Sequence, residues 1–302
     1  MLRVACRPFV RAERHGTDRA VFRRCRLASE LVKNLINAGV HFGHRTSRWN
    51  PKMAPYIFGK RNLIHIIDIR ETVKGILRSR KFLAQVVAKG EDVLFVGTKR
   101  QARVSVEFAA KQTGMHYVTE RWLGGTLTNF RTIRSRLARL EELEAIEAEG
   151  MSGKYSKKMI ATLTRERRKI RRNLEGIRRM DRLPGALVIV DTKREYIAAM
   201  EARKLHIPVI GLIDTDSDPD HVDIPIPAND DAMRAIEIIL NDLAEAIAGA
   251  LKSRPGRQDQ EEAPQRPSRQ SSRTTARAEE ADKPVAAVEA ENAGSPPEAA
   301  NA

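Results

Sequence analysis

The chain has 302 residues, and its 54 lysines and arginines against 39 acidic residues give a formal net charge of +15 at pH 7. This excess favours a polyanionic partner, and because aromatic residues make up only 5% of the chain, we expect phosphate contacts rather than base stacking. Its two cysteines, Cys6 and Cys25, precede the predicted folded body, so this body cannot contain a disulfide scaffold or a thiolate metal site. No apolar run reaches the roughly 18 residues of a membrane span.

The first 29 residues form a basic N-terminal extension with eight arginines and two acidic residues. We interpret this extension as disordered, or as a misassigned start upstream of a body that begins near Leu31. The alternative is an organellar transit peptide, because such peptides are rich in arginine and poor in acids.

Residues 39–62, here called the basic loop, combine glycines and prolines with Trp49, Tyr56 and Phe58. This composition predicts an irregular segment whose cations follow a phosphate backbone while the aromatic side chains anchor it to the domain. A purely structural loop is the alternative. The predicted RNA-binding residues of the basic loop are Arg45, Arg48, Lys52, Lys60 and Arg61.

Nearly continuous apolar runs predict buried strands, and amphipathic patterns predict crossover helices between them. The predicted strands are residues 63–68, 93–97, 116–119, 186–191 and 209–214, and the helices are 71–89, 99–113 and 194–204. Strands that are apolar on both faces are typical of a parallel sheet enclosed by helices. We therefore predict an α/β fold with a doubly wound parallel sheet.

A basic turn, Gly97-Thr98-Lys99-Arg100, follows the second of these strands, and Thr98 is its predicted helix N-cap. A helix N-terminus flanked by Lys99, Arg100 and Arg103 is suited to binding an anion. The turn lacks the second glycine and the GK[ST] ending of a P-loop, so an RNA phosphate is favoured over a nucleotide. A second stretch, residues 121–130, contains two adjacent glycines that allow close backbone approach.

About 65 residues separate the strands at 116–119 and 186–191, which is more than one crossover needs. Apolar residues recur at helical spacing on both sides of a glycine-containing break at 150–153, which predicts an inserted antiparallel coiled-coil hairpin over about 129–181. Seventeen basic residues against eight acids in 121–182 favour an RNA contact. The candidates are Arg121, Arg131, Arg134, Lys154, Lys157, Lys158, Arg168 and Arg172.

The charge reverses in residues 183–253, which contain six basic and 13 acidic residues. We expect this part to stay clear of nucleic acid. Residues 30–253 are therefore the predicted folded domain, and residues 254–302, which have almost no large apolar side chains, are a predicted disordered tail.

A histidine and two aspartates suggest a metal site. Asp191 and Asp214 end apolar strands at the carboxyl edge of the predicted sheet, where ligands gather, and His44 would complete a zinc or magnesium site. The alternative is a hydrogen-bonded histidine with helix-capping aspartates, and no cofactor is required.

No arrangement of nucleophile, acid and base is specific enough to nominate a catalytic centre, so we expect a protein that is not an enzyme.

Several strings together resemble the bacterial type of ribosomal protein S2. They are AGVHFGHRTSRWNPKMAPYIFGKRNLIHIID, ILRSRKFL, VLFVGTKRQA, ERWLGGTLTNF, LPGALVIVDTKRE and IPVIGLIDTDSDPDHVDIPIPANDDAMRAI, which cover roughly residues 30–252 in the family's order. The first 29 residues and the tail after Lys252 lie outside this pattern.

The resemblance implies a flavodoxin-like domain with a protruding antiparallel coiled coil, in the cytoplasmic small ribosomal subunit between its head and body. It also implies binding to small-subunit ribosomal RNA late in assembly, contacts with neighbouring ribosomal proteins, and help in holding ribosomal protein S1. The basic loop, Lys99, Arg100, Arg121, Arg131 and the hairpin cations from Lys154 to Arg179 would face RNA, and the metal hypothesis gains some support. No membrane or small-molecule substrate is expected.

Two other functions remain open from the residues alone. The turn Gly97 to Arg100 would serve a nucleotide- or sugar-phosphate-binding α/β protein, and the hairpin would serve an adaptor that binds an acidic protein.

Overall fold

The computed structural model describes residues 30–148 and 156–253. The predicted N-terminal extension, the predicted tail and Lys154 lie outside the described residues. Among the helices in these two ranges, none combines the length and the apolar character needed to cross a membrane.

The described chain contains eight strands and seven α-helices. The strands are β1 (Phe42–Arg45), β2 (Ile57–Arg61), β3 (Ile64–Ile67), β4 (Val93–Val96), β5 (His116–Val118), β6 (Ala186–Val190), β7 (Val209–Ile213) and β8 (Ile224–Pro227). The helices are α1 (residues 30–37), α2 (Ile69–Ala88), α3 (Arg103–Thr113), α4 (Phe130–Ala148), α5 (Lys157–Leu174), α6 (Tyr196–Lys204) and α7 (Met233–Ser253).

Five strands form a parallel sheet in the order β5-β4-β6-β7-β8. Every residue of β4, β6 and β7 is buried, because helices cover both faces. Val93 and Phe95 pack in one core with α2, α3 and α7, whereas Leu94 and Val96 pack in a second core with α6 and the base of α4 and α5. The predicted doubly wound α/β fold is confirmed.

The strand order is that of flavodoxin-like sheets, and it reverses between β4 and β6. In such sheets the crevice outside the carboxyl ends of these two strands is the usual place for a ligand. Lys99 follows β4 and Asp191 follows β6, so both lie at this switch point.

The strand predicted at residues 63–68 is present, as β3, but its predicted place in the parallel sheet was wrong. It is the central strand of a separate antiparallel sheet, ordered β1-β3-β2. Burial alternates along β3, which is the pattern of an antiparallel strand with one covered face. The basic loop therefore contains two strands in place of a wholly irregular path.

Two local predictions need correction. Sequence patterns did not reveal β8, whose Pro225 and Pro227 are tolerated because it is an edge strand. Helix α3 begins at Arg103, four residues later than predicted, and has no side-chain N-cap. The Thr98 hydroxyl donates to the buried Glu195 carboxylate instead of capping the helix, so the predicted N-cap role of Thr98 was wrong.

Helices α4 and α5 form the predicted insertion between β5 and β6. Leu137, Leu140, Leu143 and Leu163 are buried along their contact. The two helices run antiparallel, because Arg134 near the base of α4 pairs with Asp181, while Glu147 at its far end pairs with Arg167.

Candidate nucleic-acid interface

Four cations of the basic loop are exposed and have no carboxylate partner within residues 30–148 and 156–253. They are Arg45, Arg48, Lys60 and Arg61. Lys52 differs, because its ammonium lies 3.0 Å from Asp218 Oδ2 and also contacts Asp220. Phe58 is 75% exposed and does not anchor the loop as predicted.

The basic loop is fixed to the parallel sheet through Thr215, which follows β7. Its hydroxyl accepts from His44 N at 2.9 Å, and its carbonyl accepts from Asn50 N at 2.8 Å. A Cβ on Gly43 would lie 2.6 Å from the Thr215 methyl group, so this position needs glycine. The carboxyl edge of the sheet therefore positions the loop.

The switch point holds a cluster of charged side chains, here called the switch-point cluster. Its members are His44, Lys99, Asp191, Asp214, Asp230 and Asp231. His44 Nδ1 lies 2.8 Å from Asp214 Oδ2, and His44 Nε2 lies 3.5 Å from Asp231 Oδ2. The hydrogen bond to Asp214 raises the pKa of His44 to about 9, although burial lowers it, so without a bound ion the imidazole is charged at neutral pH.

Lys99 points into this cluster. Its Nζ lies 2.9 Å from Asp230 Oδ1, 2.6 Å from Asp231 Oδ1 and 3.9 Å from Asp191 Oδ2. Burial lowers the pKa of Lys99, but hydrogen bonds to Asp231 and Asp230 raise it more, and burial together with neighbouring aspartates raises the pKa of Asp230 to about 7. The charge of Lys99 is thus used inside the protein, unlike that of the exposed Arg100.

The residues of the cluster fit a metal ion in part. Of the predicted ligands, Asp214 pairs with His44, and Asp191 Oδ2 lies 3.9 Å from Lys99 Nζ. The group whose ligand atoms lie within 4.8 Å of one another is His44, Asp230 and Asp231. One imidazole and two carboxylates suit zinc better than magnesium, but an ion there would compete with Lys99 for both carboxylates.

Residues 121–130, here called the glycine loop, bend around the carboxylate of Glu201 on α6. Glu201 Oε1 accepts from Gly125 N at 2.7 Å and from Trp122 Nε1 at 3.2 Å. Its Oε2 accepts from Leu127 N at 3.0 Å and from the amide and hydroxyl of Thr128 at 3.2 and 3.3 Å. The glycine loop therefore binds an anion, but that anion is the protein's own side chain.

Glu201 gives a pH prediction. Burial raises the pKa of Glu201, but the hydrogen bonds from Gly125, Leu127, Trp122 and Thr128 lower it more, so its pKa is below the ordinary value. A lowered folded-state pKa stabilises the fold above the unfolded-state pKa of about 4.3, and this contribution is lost as the pH falls through the folded-state value. We expect Glu201→Gln to lower the free energy of unfolding by about 2–3 kcal/mol at pH 7.

This deficit relative to wild type should shrink below about pH 4, because protonation then makes the wild-type Glu201 side chain neutral, as glutamine is at every pH. Urea unfolding of both proteins from pH 3 to pH 8 measures it. A deficit that stays constant over the whole range would contradict a contribution from the ionised carboxylate.

The candidate cations of the hairpin and its surroundings fall into two groups. The first group is exposed and pairs with no carboxylate of the described chain; its members are Arg121, Arg131, Lys157, Lys158 and Arg168. Arg103 and Arg172 share Glu120, at 3.0 and 2.7 Å, and Arg134 lies 3.2 Å from Asp181. The second group is partly neutralised by its neighbours.

Acidic residues of 183–253 lie next to basic residues from other parts of the chain. Several of them neutralise cations from earlier in the chain: Asp218 and Asp220 contact Lys52, Asp230 and Asp231 contact Lys99, and Asp242 contacts Arg80. Sequence segments of opposite sign meet in the fold, so much of the acidic charge holds basic segments in place.

Comparisons with known proteins agree with this architecture. A family model described as Ribosomal protein S2 matches residues 35–250. The chain is 60% identical over 221 residues to the small ribosomal subunit protein uS2 of Rhodopirellula baltica, an alignment that covers 73% of this chain and 85% of that protein. It is 52% identical over 217 residues to uS2 of Syntrophobacter fumaroxidans, covering 72% and 79% respectively.

Proposed function

We propose that the chain, which belongs to the ribosomal protein S2 family, binds small-subunit ribosomal RNA. As a member of this family it is a structural, non-enzymatic constituent of the small ribosomal subunit. The observation that carries the RNA proposal is that ten of the predicted RNA-binding cations are exposed and have no carboxylate partner in the described chain. These are Arg45, Arg48, Lys60, Arg61, Arg100, Arg121, Arg131, Lys157, Lys158 and Arg168.

The partly neutralised cations Lys52, Arg103, Arg134 and Arg172 have a secondary role in this proposal, because RNA would compete with their carboxylates. Lys99 contributes to the internal cluster. A nucleotide-binding function gains nothing from this geometry, since the lysine that would meet a phosphate already faces Asp230 and Asp231.

Co-sedimentation tests the proposed function. The purified chain is mixed with small ribosomal subunits from which uS2 has been removed, and with large subunits as a control. We expect stoichiometric binding to the small subunits alone, weakening as salt rises because phosphate contacts release counterions. Equal binding to both subunits, or to neither, would contradict the proposal.

We also propose that the protein joins the cytoplasmic small subunit late in assembly and helps to hold ribosomal protein S1, as the resemblance implies. An open apolar groove of about 790 Å³, lined by Val32, Ile36, Phe58 and Val73 among others, offers a surface for a protein partner. Reconstituted subunits with and without the chain would be tested for S1 retention. S1 bound equally to both would contradict this part of the proposal.

A zinc ion at His44, Asp230 and Asp231 is a further proposal, supported by the donor set. We expect purified protein to contain about one equivalent of zinc by elemental analysis and Asp231→Asn to lose it. Lys99→Gln should bind zinc more tightly, because the competing ammonium is gone. If neither the wild type nor Lys99→Gln contains zinc after incubation with it, this result would contradict the proposal.

A further inference from the structure

Two of the exposed cations proposed to bind RNA flank the glycine loop. Arg121 begins the loop and Arg131 follows it on α4, and both side chains are exposed. Between them, Trp122 and Leu127 are buried in the second core against α6. The path of the loop backbone therefore determines where the two arginines lie.

Glu201 is an unusual residue for the place it occupies. It is only 7% exposed, and no lysine or arginine of the described residues lies within 4.0 Å of its carboxylate. A buried carboxylate without a cation is costly unless hydrogen bonds compensate. Here five donors from the glycine loop supply that compensation.

The surroundings of Glu201 permit this close approach. Ala198, Ala199 and Ala202 are fully or almost fully buried on the same helix, and their small side chains leave room for the loop. Gly125 has a φ of +89°, a conformation that glycine adopts readily. Its amide makes the shortest of the five hydrogen bonds, at 2.7 Å.

We infer that Glu201 is a positioning residue for RNA binding, which holds the glycine loop in the path that places Arg121 and Arg131 where they contact RNA. This inference rests on the proposed function. A neutral amide cannot replace the carboxylate, because in either orientation its NH₂ group would face N–H donors of the glycine loop. The loop would have to change its path in Glu201→Gln.

Electrostatics alone predicts the opposite effect. Removing a negative charge from a protein that binds RNA should strengthen the association slightly, and the exposed Glu237→Gln on α7 serves as the matched control. We expect Glu201→Gln to weaken RNA binding by about tenfold and to make the salt slope shallower by about 2, one for each displaced arginine. Glu237→Gln should leave affinity unchanged or raise it.

A double-mutant cycle separates positioning from general damage. In a background with Arg121→Gln and Arg131→Gln, Glu201→Gln should cause no further loss of RNA affinity, measured at a temperature where circular dichroism shows all variants folded. Glu201→Asp, which keeps the charge, should recover part of the affinity. Should Glu201→Gln fail to fold, Trp122→Phe removes one donor and tests the same dependence through a smaller loss.

The outcomes are distinguishable. Wild-type protein that does not bind RNA would refute the proposed function and the inference with it. Wild-type binding together with unchanged or raised affinity of Glu201→Gln would refute the inference alone, as would an equal loss in both arginine backgrounds. For Trp122→Phe, a loss of RNA affinity that occurs only when Arg121 and Arg131 are both present would support the inference. Any other result would refute it.

Discussion

Replacing Arg45, Arg48, Lys60 and Arg61 together with glutamine is expected to weaken binding to small-subunit RNA by about a hundredfold or more at physiological salt. The four side chains are exposed and have no carboxylate partner in the described chain, so their charge is available to phosphates. Each phosphate interaction that is removed should also reduce the slope of log affinity against log salt by about 0.7–0.9. A filter-binding titration at several salt concentrations measures both quantities.

The matched control removes four charges elsewhere that are also exposed: Lys89, Arg203, Lys204 and Lys252. Both variants lower the net charge by the same amount, so a general electrostatic effect would weaken them equally. We expect the control to lose much less affinity than the basic-loop variant. Similar losses in the two would mean that net charge, and not the placement of the basic loop, determines binding.

Asp214→Ala is expected to produce the largest stability loss among single substitutions in the switch-point cluster, about 3–5 kcal/mol. Asp214 is 1% exposed and holds His44 at 2.8 Å. Removing this partner leaves a half-buried histidine without its main acceptor and weakens the link between the basic loop and the parallel sheet. Chemical unfolding followed by circular dichroism measures the loss.

Asp216→Asn is the control, because Asp216 pairs with Lys193, whose side chain is 59% exposed. Asp216 itself is 14% exposed, but its lysine partner lies largely in water, where ion pairs contribute about 0–1 kcal/mol, so this variant should remain close to wild type. Limited proteolysis gives a second measurement, since the basic loop should be cut faster in Asp214→Ala. Equal stability of the two variants would contradict the role assigned to Asp214.

The parallel sheet was predictable because its inner strands are apolar on both faces, a pattern that needs no knowledge of distant residues. β3 was misplaced for a related reason. A run such as LIHIID reads as continuously apolar, although only alternate residues are buried, and a histidine can occupy a covered position. β8 escaped detection because its two prolines argue against a strand unless its edge position is known.

The candidate site was harder to predict, because its geometry depends on contacts between residues far apart in sequence. Asp230 and Asp231 follow the unrecognised β8, so their place at the carboxyl edge could not be seen. Lys99 looked like a free cation until the fold put these two carboxylates beside it. A local signal did exist for Glu201: it is a lone acid among buried alanines on α6.

The most direct test of the account is the salt dependence of binding between the full chain and isolated small-subunit ribosomal RNA. If the exposed cations bind phosphates as proposed, the logarithm of the affinity should fall linearly with the logarithm of the salt concentration, with a slope of about −5 or steeper. A slope near zero, or an absence of measurable binding at low salt, would contradict the central claim.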